Sequence, residues 1–386
     1  MKSIVVSGAL ANKCFNGGEA WVRLNWCLGF KRLGLDVFFV EQISRENCVD
    51  TTGAVTPFES SVNLAYFEKV TGQFGLSECA ALIYDNGEQI YGPSQGQLLE
   101  WADSADLLVN ISGHLSWEPL WRRLRRKAYV DIDPGFTQFW HAAGMPGPRL
   151  AGHDFYFTIA ENIGTSPCSI PTGNIPWRPI RQPVVLDQWP VCRDGTRTRF
   201  TTVASWRGPY GPVAYGGKTF GLKVHEFRKF IELPTRLQQT FEIALQIHPA
   251  DARDLDLLRA NGWQIADPRA AAADPFSFRR YVQQSGAEFS VAQGIYVETQ
   301  SGWFSDRTVR YLASGKPALV QDTGFSRCYP VGDGLLAFRT LEEAVRGAEE
   351  IARNYERHCQ AARALAEDYF DSDQVLGRLL EEVDPA

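Results

Sequence analysis

Gly302-Trp303-Phe304-Ser305-Asp306-Arg307-Thr308-Val309-Arg310-Tyr311-Leu312-Ala313-Ser314-Gly315-Lys316-Pro317 runs directly into Ala318-Leu319-Val320. A turn containing glycine and serine leads into a short helix with Ser305 as its N-cap. Gly315 ends that helix, and Pro317 opens a strand. The first turn of a helix leaves N–H groups without intrahelical partners and carries a partial positive charge, to which Arg307 adds a full one. Such a start suits a diphosphate. The same residues also suit an ordinary capped helix with Arg307 in solvent, so local chemistry leaves both readings open.

Downstream, Asp322-Thr323-Gly324 is followed by the glycine-marked turn and short strand of Gly332-Asp333-Gly334-Leu335-Leu336-Ala337-Phe338. Thr340-Leu341-Glu342-Glu343 has the pattern of a capping box and starts a helix carrying Ala344, Val345, Ala348, Ile351 and Ala352. Two further helical runs, Cys359 to Phe370 and Asp373 to Val383, finish the chain. Upstream, strands are expected at Phe200–Ala204, Glu242–Ile247, Gly294–Val297 and Pro317–Val320, with a helix from Asp251 to Asn261 closed by Gly262. Before them lies a connector, residues 164–198, containing Pro167, Pro171, Pro176, Pro179, Pro183 and Pro190 and an Asp194-Gly195 turn signal.

The first half shows its own alternation. Ile4-Val5-Val6 leads through a loop to a helix beginning near Glu19, with Ala20, Leu24, Cys27 and Leu28 on one face and Gly34 as its stop. Strands follow at Asp36–Glu41, Asp106–Asn110 and Ala128–Asp131, the last two separated by a helix bearing Trp117, Leu120, Trp121 and Leu124. Strand–helix alternation implies parallel sheets with helices on both faces, so the chain reads as two successive α/β halves.

The segment Leu312 to Val320, followed by Asp322-Thr323-Gly324, resembles the A-x-G-x-P-V block of GT-B glycosyltransferases, and the turn, strand and acidic helix start after it resemble that fold's sequel. The likeness is close over residues 295–380 and elsewhere lies only in the α/β rhythm. It implies two Rossmann-like, doubly wound domains facing a cleft: residues 1–190 for the acceptor and 191–355 for a nucleotide-sugar donor. Helices of residues 356–386 would pack back on the first domain. One departure stands out. Retaining members often carry E-x7-E, and the two matching positions here are Gly302 and Arg310. With those glutamates absent, or their contacts supplied by residues such as Asp306, the stereochemical outcome stays open, with inversion favoured.

Composition narrows the remaining classes. The 386 residues suit two globular domains or three, and at 44% hydrophobic and 22% charged the chain is of ordinary globular composition. A net charge of −6 argues against a general nucleic-acid or anionic-membrane binder. The basic run Arg122-Arg123-Leu124-Arg125-Arg126-Lys127 is expected on the solvated face of its helix. Met1 to Gly8 has too short an apolar run for a signal peptide, and no stretch suits a membrane span, so a cytoplasmic location is expected. Eight scattered cysteines without a C-x-x-C pair read as reduced thiols rather than a disulfide frame or zinc site.

Site residues follow from strand ends and from the resemblance. The donor is expected at Ser305, Asp306, Arg307 and Thr308, with Gly302, Asp322 and Thr323 beside them. In the glycine-rich loop Ser205 to Lys218, Arg207 and Lys218 are the cations that would meet donor phosphates. In the first half, Asn16, Gly17 and Gly18 form a loop that the resemblance would bring across the cleft to the transferred sugar; no G-x-G-x-x-G dinucleotide fingerprint is present. An inverting reaction needs a base, and His114, Asp133 and Glu19 are the candidates, the first two nearly level. Asp131 and Asp133 form a D-x-D, but no metal site is expected, and no cofactor beyond the nucleotide sugar as co-substrate. The expectation is therefore a metal-independent glycosyltransferase acting on a small-molecule or other acceptor, with no nucleic-acid partner. A nucleotide-sugar epimerase of the same fold and a non-catalytic two-domain binder are the alternatives. The oligomeric state is left undefined.

Overall fold

The structure, a computed structural model, describes residues 1–193, 197–208 and 210–384. The expected Asp194-Gly195 turn lies outside the described residues, as does Pro209. Eight strands form a first sheet: β1 (Ser3–Ser7), β2 (Asp36–Ile43), β3 (Ala80–Tyr84), β4 (Gln89–Tyr91), β5 (Leu107–Ile111), β6 (Lys127–Asp131), β7 (Phe155–Thr158) and β8 (Arg178–Pro179). Their order is β4-β3-β2-β1-β5-β6-β7-β8, parallel except where β3 meets β4. Every residue of β3 and β5 is buried, as expected for strands covered by helices on both faces.

The second half adds β9 (Arg199–Ser205), a hairpin of β10 (Val213–Tyr215) and β11 (Lys218–Phe220), then β12 (Thr240–Gln246), β13 (Gln264–Ala266), β14 (Ala287–Ser290), β15 (Ala318–Gln321) and β16 (Leu335–Phe338). Leaving out the hairpin, these strands form a sheet in the order β13-β12-β9-β14-β15-β16. It is parallel throughout. Strand order reverses beside β1, between it and β5, and beside β9, between it and β14. The carboxyl ends of those four strands are where an open parallel sheet leaves a crevice for ligands.

Several sequence expectations change. The first helix, Gly17–Arg32, is not amphipathic: Trp21, Val22, Leu24, Trp26, Cys27 and Phe30 bury its whole circumference, while Leu28 is only half-buried. A helix surrounded by neighbours has no solvent face to keep polar. Its neighbours are the last helix, Ser372–Val383, whose Leu376 and Ser372 press on Gly29, and the helix Pro275–Gln283, whose Pro275 carbonyl accepts from Trp21 Nε1 at 2.8 Å. Gly294–Val297, expected as a strand, belongs to the helix Gly294–Glu298, and β14 takes the sheet position instead. A four-residue apolar run carries no usable period, and Ala287–Ser290, with its buried Glu288, hid the true strand. The helix carrying Trp117 to Leu124 is only Glu118–Trp121. The basic run therefore lies after that helix rather than on it, and Arg122, Arg123 and Arg126 pair with Glu118, Asp103 and Asp384.

The proline-rich connector is anchored. Val184 and Ser372 exchange backbone hydrogen bonds with Phe370 and Val184 respectively, at 2.8 and 2.9 Å, and Asn25 Oδ1 accepts from Val185 N at 3.0 Å. The last helix thus lies against both the connector and the first helix, and Arg32 bridges Asp187 and Asp373. One buried apolar cluster runs through both halves, from Ile4 and Trp21 through Trp189 to Phe278 and Leu312. Phe74 of the first half stacks on Phe276 of the second at 5.4 Å and 12°.

Gly17 shows how tight this junction is. A Cβ at that position would lie 2.1 Å from the Asp274 carbonyl oxygen, so only glycine lets the two halves approach. Gly17→Ala is expected to destabilise the protein by about 1–3 kcal/mol in denaturant unfolding, the usual range for overpacking. Gly377→Ala is the control: nothing lies within 4 Å of its added Cβ on the last helix, and it is expected to stabilise by about 0.5–1 kcal/mol.

Candidate active site

The strand ends are shaped by buried polar side chains. The Glu41 carboxylate, fully buried on β2, accepts from Ala11 N at 2.7 Å, Asn12 N at 2.8 Å and Asn12 Nδ2 at 2.8 Å, fixing the loop after β1. Burial pushes its pKa up, against the pull of those hydrogen bonds. Asn110 at the end of β5 holds both the N–H and the carbonyl of Leu115, and the turn between them passes through positive φ at Ser112 (55°) and Gly113 (67°). A serine in that region marks local strain of the kind that gathers at ligand sites, and it presents His114 to the cleft. After β6, Asp131 is saturated by Thr137 Oγ1, Gln138 Nε2 and Thr158 Oγ1, each at 2.7 Å, and by Asp133 N at 3.1 Å. Asp131 is therefore the frame of the turn, and Asp133 is the carboxylate that reaches the cavities.

The second half supplies cations. Arg307 spans two strand ends: Nε to Glu288 Oε1 at 2.7 Å, Nη1 to the Val203 carbonyl at 2.9 Å and Nη2 to Ser290 Oγ at 2.8 Å. Three of its five N–H donors are engaged, leaving two for a ligand. Ser305 caps the helix Asp306–Ala313 by accepting from Arg307 N at 3.2 Å. Lys223 stands across from them, its pKa lowered by burial, and then by the Arg307 charge, to about 7. Gln293 presses against Gly208, whose Cβ would lie 2.7 Å from the Gln293 amide. Gln293 Oε1, Arg310 Nε and Arg23 Nε are buried without hydrogen-bond partners, a set of polar atoms that a bound ligand would satisfy.

These groups surround three cavities that meet. The largest, about 690 Å³, lies in the first half among Asn12, Gln42, Asn47, Asp85, Trp140 and Arg149. A cleft of about 490 Å³ runs between the halves, from Phe15 and Pro268 to Lys223 and Arg307. A cavity of about 210 Å³ joins them. It shares Ser112, His114, Asp133 and Tyr210 with the first, and Lys13, Glu19, Lys223, Gln293, Asp306 and Arg307 with the second. At this junction burial, with the Glu19 and Asp131 charges, pushes the Asp133 pKa up to about 7. Burial and the Arg23 and Lys13 charges hold His114 down at about 3. Burial works to raise Glu19, but its partners Arg23 and Lys13 outweigh it and leave the carboxyl below its usual range.

The residues expected from sequence separate accordingly. Ser305, Asp306, Arg307, His114, Asp133, Glu19, Asn16 and Gly18 line these cavities. Arg207 and Lys218 do not: Arg207 is 56% exposed and paired with Asp251, and Lys218 is paired with Glu298. Gly17 faces Asp274 rather than a ligand, and Gly302, at φ 74°, abuts Asn162. Thr308 is buried inside its helix. Asp322 holds Arg339, Ser326 and Gly324 N, and Thr323 caps the Trp303 carbonyl, so both brace the turn. Lys223, Gln293, Tyr210, Arg23 and Arg310 were not legible. Lys223 lies only five residues beyond Lys218, at the start of the helix Lys223–Phe227 that follows the hairpin, but nothing local says which of the two faces the cleft. Arg310, at the second E-x7-E position, is buried, pairs with Asp306 and lies over the Phe278 ring. Among the described residues no group of three or more His, Cys, Asp or Glu is placed to hold a metal ion, and no helix is long and apolar enough to cross a membrane.

No protein-family model matches the sequence, and no curated protein matches it. The fold, however, is similar to solved structures over the full chain. An alpha-glucosyltransferase in complex with UDP and a 13-mer DNA aligns over 99% of both chains at TM-score 0.61 and 11% identity. Anabaena HepE in complex with UDP aligns over 99% of this chain and 100% of its own at TM-score 0.55 and 12% identity. Sucrose-phosphate synthase from Thermosynechococcus elongatus gives TM-score 0.51 and 12% identity over 99% of both. The chain has the GT-B fold: two Rossmann-like units facing a cleft, closed by C-terminal helices. The exclusion of nucleic acid from net charge is corrected by the same likeness, because a protein of this fold holds DNA. Whole-chain charge was the wrong quantity, since nucleic-acid contact depends on where cations cluster.

The Lys223 environment gives a signed pH dependence. Its ammonium is present below pH 7 and lost above it, so affinity for UDP or inorganic pyrophosphate is expected to fall as pH rises from 6.5 to 8.5. Lys223→Met is expected to weaken binding at pH 6.5 by about tenfold or more in calorimetry and to flatten that dependence. Arg207→Ala is expected to leave affinity unchanged.

Proposed function

We propose that this protein is a glycosyltransferase that moves a sugar from a nucleoside diphosphate sugar, with UDP as the nucleotide, to an acceptor held in the first half. The observation that carries the reading is the meeting of the cavities: the cationic cleft and the cavity of about 690 Å³ are connected by the smaller one, which Asp133 lines. UDP in several structures of the same fold supports the choice of nucleotide. The functional units are residues 1–190 for the acceptor and 191–355 for the donor. Of the helices expected to brace the first unit, Tyr355–Tyr369 packs on the Asp306–Ala313 helix of the second, and Ser372–Val383 lies against the first.

In this reading the phosphates lie against Lys223, the two remaining Arg307 donors and the start of the Asp306–Ala313 helix. As the glycosidic bond to the phosphate breaks, negative charge grows on the departing diphosphate, and these fixed cations stabilise it. Asp133 is the base. It takes the proton from the acceptor hydroxyl as that oxygen attacks the anomeric carbon from the face opposite the diphosphate, which inverts the centre. A carboxylate with a pKa near 7 accepts a proton far more readily than one at its ordinary value, whereas His114, held near 3, is a weak base. Tyr210 Oη donates to Asp133 Oδ2 at 3.4 Å and orients it. An epimerase of this fold would have no use for the large cavity beyond Asp133, which favours transfer. DNA, offered single- and double-stranded, belongs among the acceptors to screen, because DNA-bound structures share the fold.

Asp133→Asn is expected to lower transfer at least a thousandfold while leaving UDP affinity within about twofold. In the native protein kcat at saturating donor is expected to climb as pH rises through about 7, where Asp133 ionises. Loss of the Lys223 charge over the same range is expected to raise the KM for the donor. NMR of the product gives the anomeric configuration. Full activity in Asp133→Asn, or a product of retained configuration, removes Asp133 from the role of base.

A further inference from the structure

Phe15 is a large aromatic side chain left 43% exposed, at a backbone φ of 59°. A bulky residue at positive φ is an outlier that the surrounding structure must hold in place. Here the holding is visible. Glu41 fixes the preceding Ala11 and Asn12, and the Asn16 side chain caps the helix that follows by accepting from Glu19 N at 3.1 Å. Tyr66 lies 5.9 Å from the Phe15 ring at 58°. The Arg269 guanidinium of the second half covers the ring at 5.6 Å, and the ring lines the cleft. Arg269 and Tyr66 cover part of the ring, and what stays exposed along the cleft is the surface a ligand can take.

The cleft changes character along its length. At the end shared with the smaller cavity stand Lys223 and Arg307; away from that cavity the lining includes Phe15, Pro268 and Ala272, with Gln246 offering an amide at the end of β12. Phosphates belong at the first end, and a flat, partly apolar group with hydrogen-bonding edges belongs at the second. We infer that Phe15, reaching from the first half into the cleft of the second, stacks on the base of the bound nucleotide. The inference rests on the nucleotide-sugar reading and deepens it: the donor is gripped by both halves, its base against a residue of the acceptor-binding unit. A donor seated in this way bridges the halves before the acceptor arrives.

The test compares two ligands on three proteins. UDP and inorganic pyrophosphate are titrated by calorimetry into the native protein, Phe15→Ala and Phe15→Tyr. Base stacking predicts that Phe15→Ala weakens UDP about tenfold or more, leaves pyrophosphate within about twofold, and is rescued in Phe15→Tyr. Equal affinity for UDP in Phe15→Ala, or an equal loss for UDP and pyrophosphate, overturns the stacking role while leaving the donor site intact. Failure of the native protein to bind either ligand overturns the nucleotide-sugar reading itself. Unfolding curves of Phe15→Ala confirm that the comparison is made on folded protein, since an exposed ring removed from a strained position is not expected to lower stability.

Discussion

The tether made by Arg307 is what the site depends on. One guanidinium joins the end of β9 through Val203, the end of β14 through Glu288 and Ser290, and its own helix start. Glu288 is fully buried, so its charge is tolerable only beside Arg307, and removing either partner would strand the other in a medium of low dielectric. Glu288 Oε2 is still without a hydrogen-bond partner, so the pair is not saturated. The arrangement fixes a cation at the strand-order reversal of the second sheet, and burial first, then the Arg307 charge, lowers the proton affinity of Lys223 beside it.

A second constraint is the junction of the halves. Two-domain proteins commonly move about small, polar interfaces, but here an apolar cluster is continuous from one sheet to the other. The β10–β11 hairpin adds to it: Phe220 stacks on Phe139 at 4.9 Å, and Tyr210 lies against Phe136 and Trp140. Tyr210, which precedes that hairpin, reaches Asp133.

Much of this was legible in sequence where one local rule acted alone. Ser305 as N-cap, the Thr340–Glu343 capping box, and Gly34, Gly262 and Gly315 at positive φ after their helices all appear as read. The A-x-G-x-P block led to the correct fold although no glutamate stands at Gly302 or Arg310. What escaped was decided by tertiary contact. Ala287–Ser290 is a strand because its neighbours bury it, including a glutamate that pattern reading would place in water. Lys223 and Lys218 look alike in a glycine-rich loop until the hairpin turns one outward to Glu298 and leaves the other beside Arg307. Gly17 and Gly18 read as a ligand loop, yet Gly17 serves the approach of Asp274.

The central claim is that a diphosphate lies between Lys223, Arg307 and the start of the Asp306–Ala313 helix. A crystal structure of the protein with UDP tests it most directly. The account requires phosphate oxygens within hydrogen-bonding distance of Lys223 Nζ and an Arg307 nitrogen, with Asp133 facing the space beyond the terminal phosphate. Phosphates bound at Arg207 and Lys218, or anywhere outside the cleft between the two sheets, would contradict it.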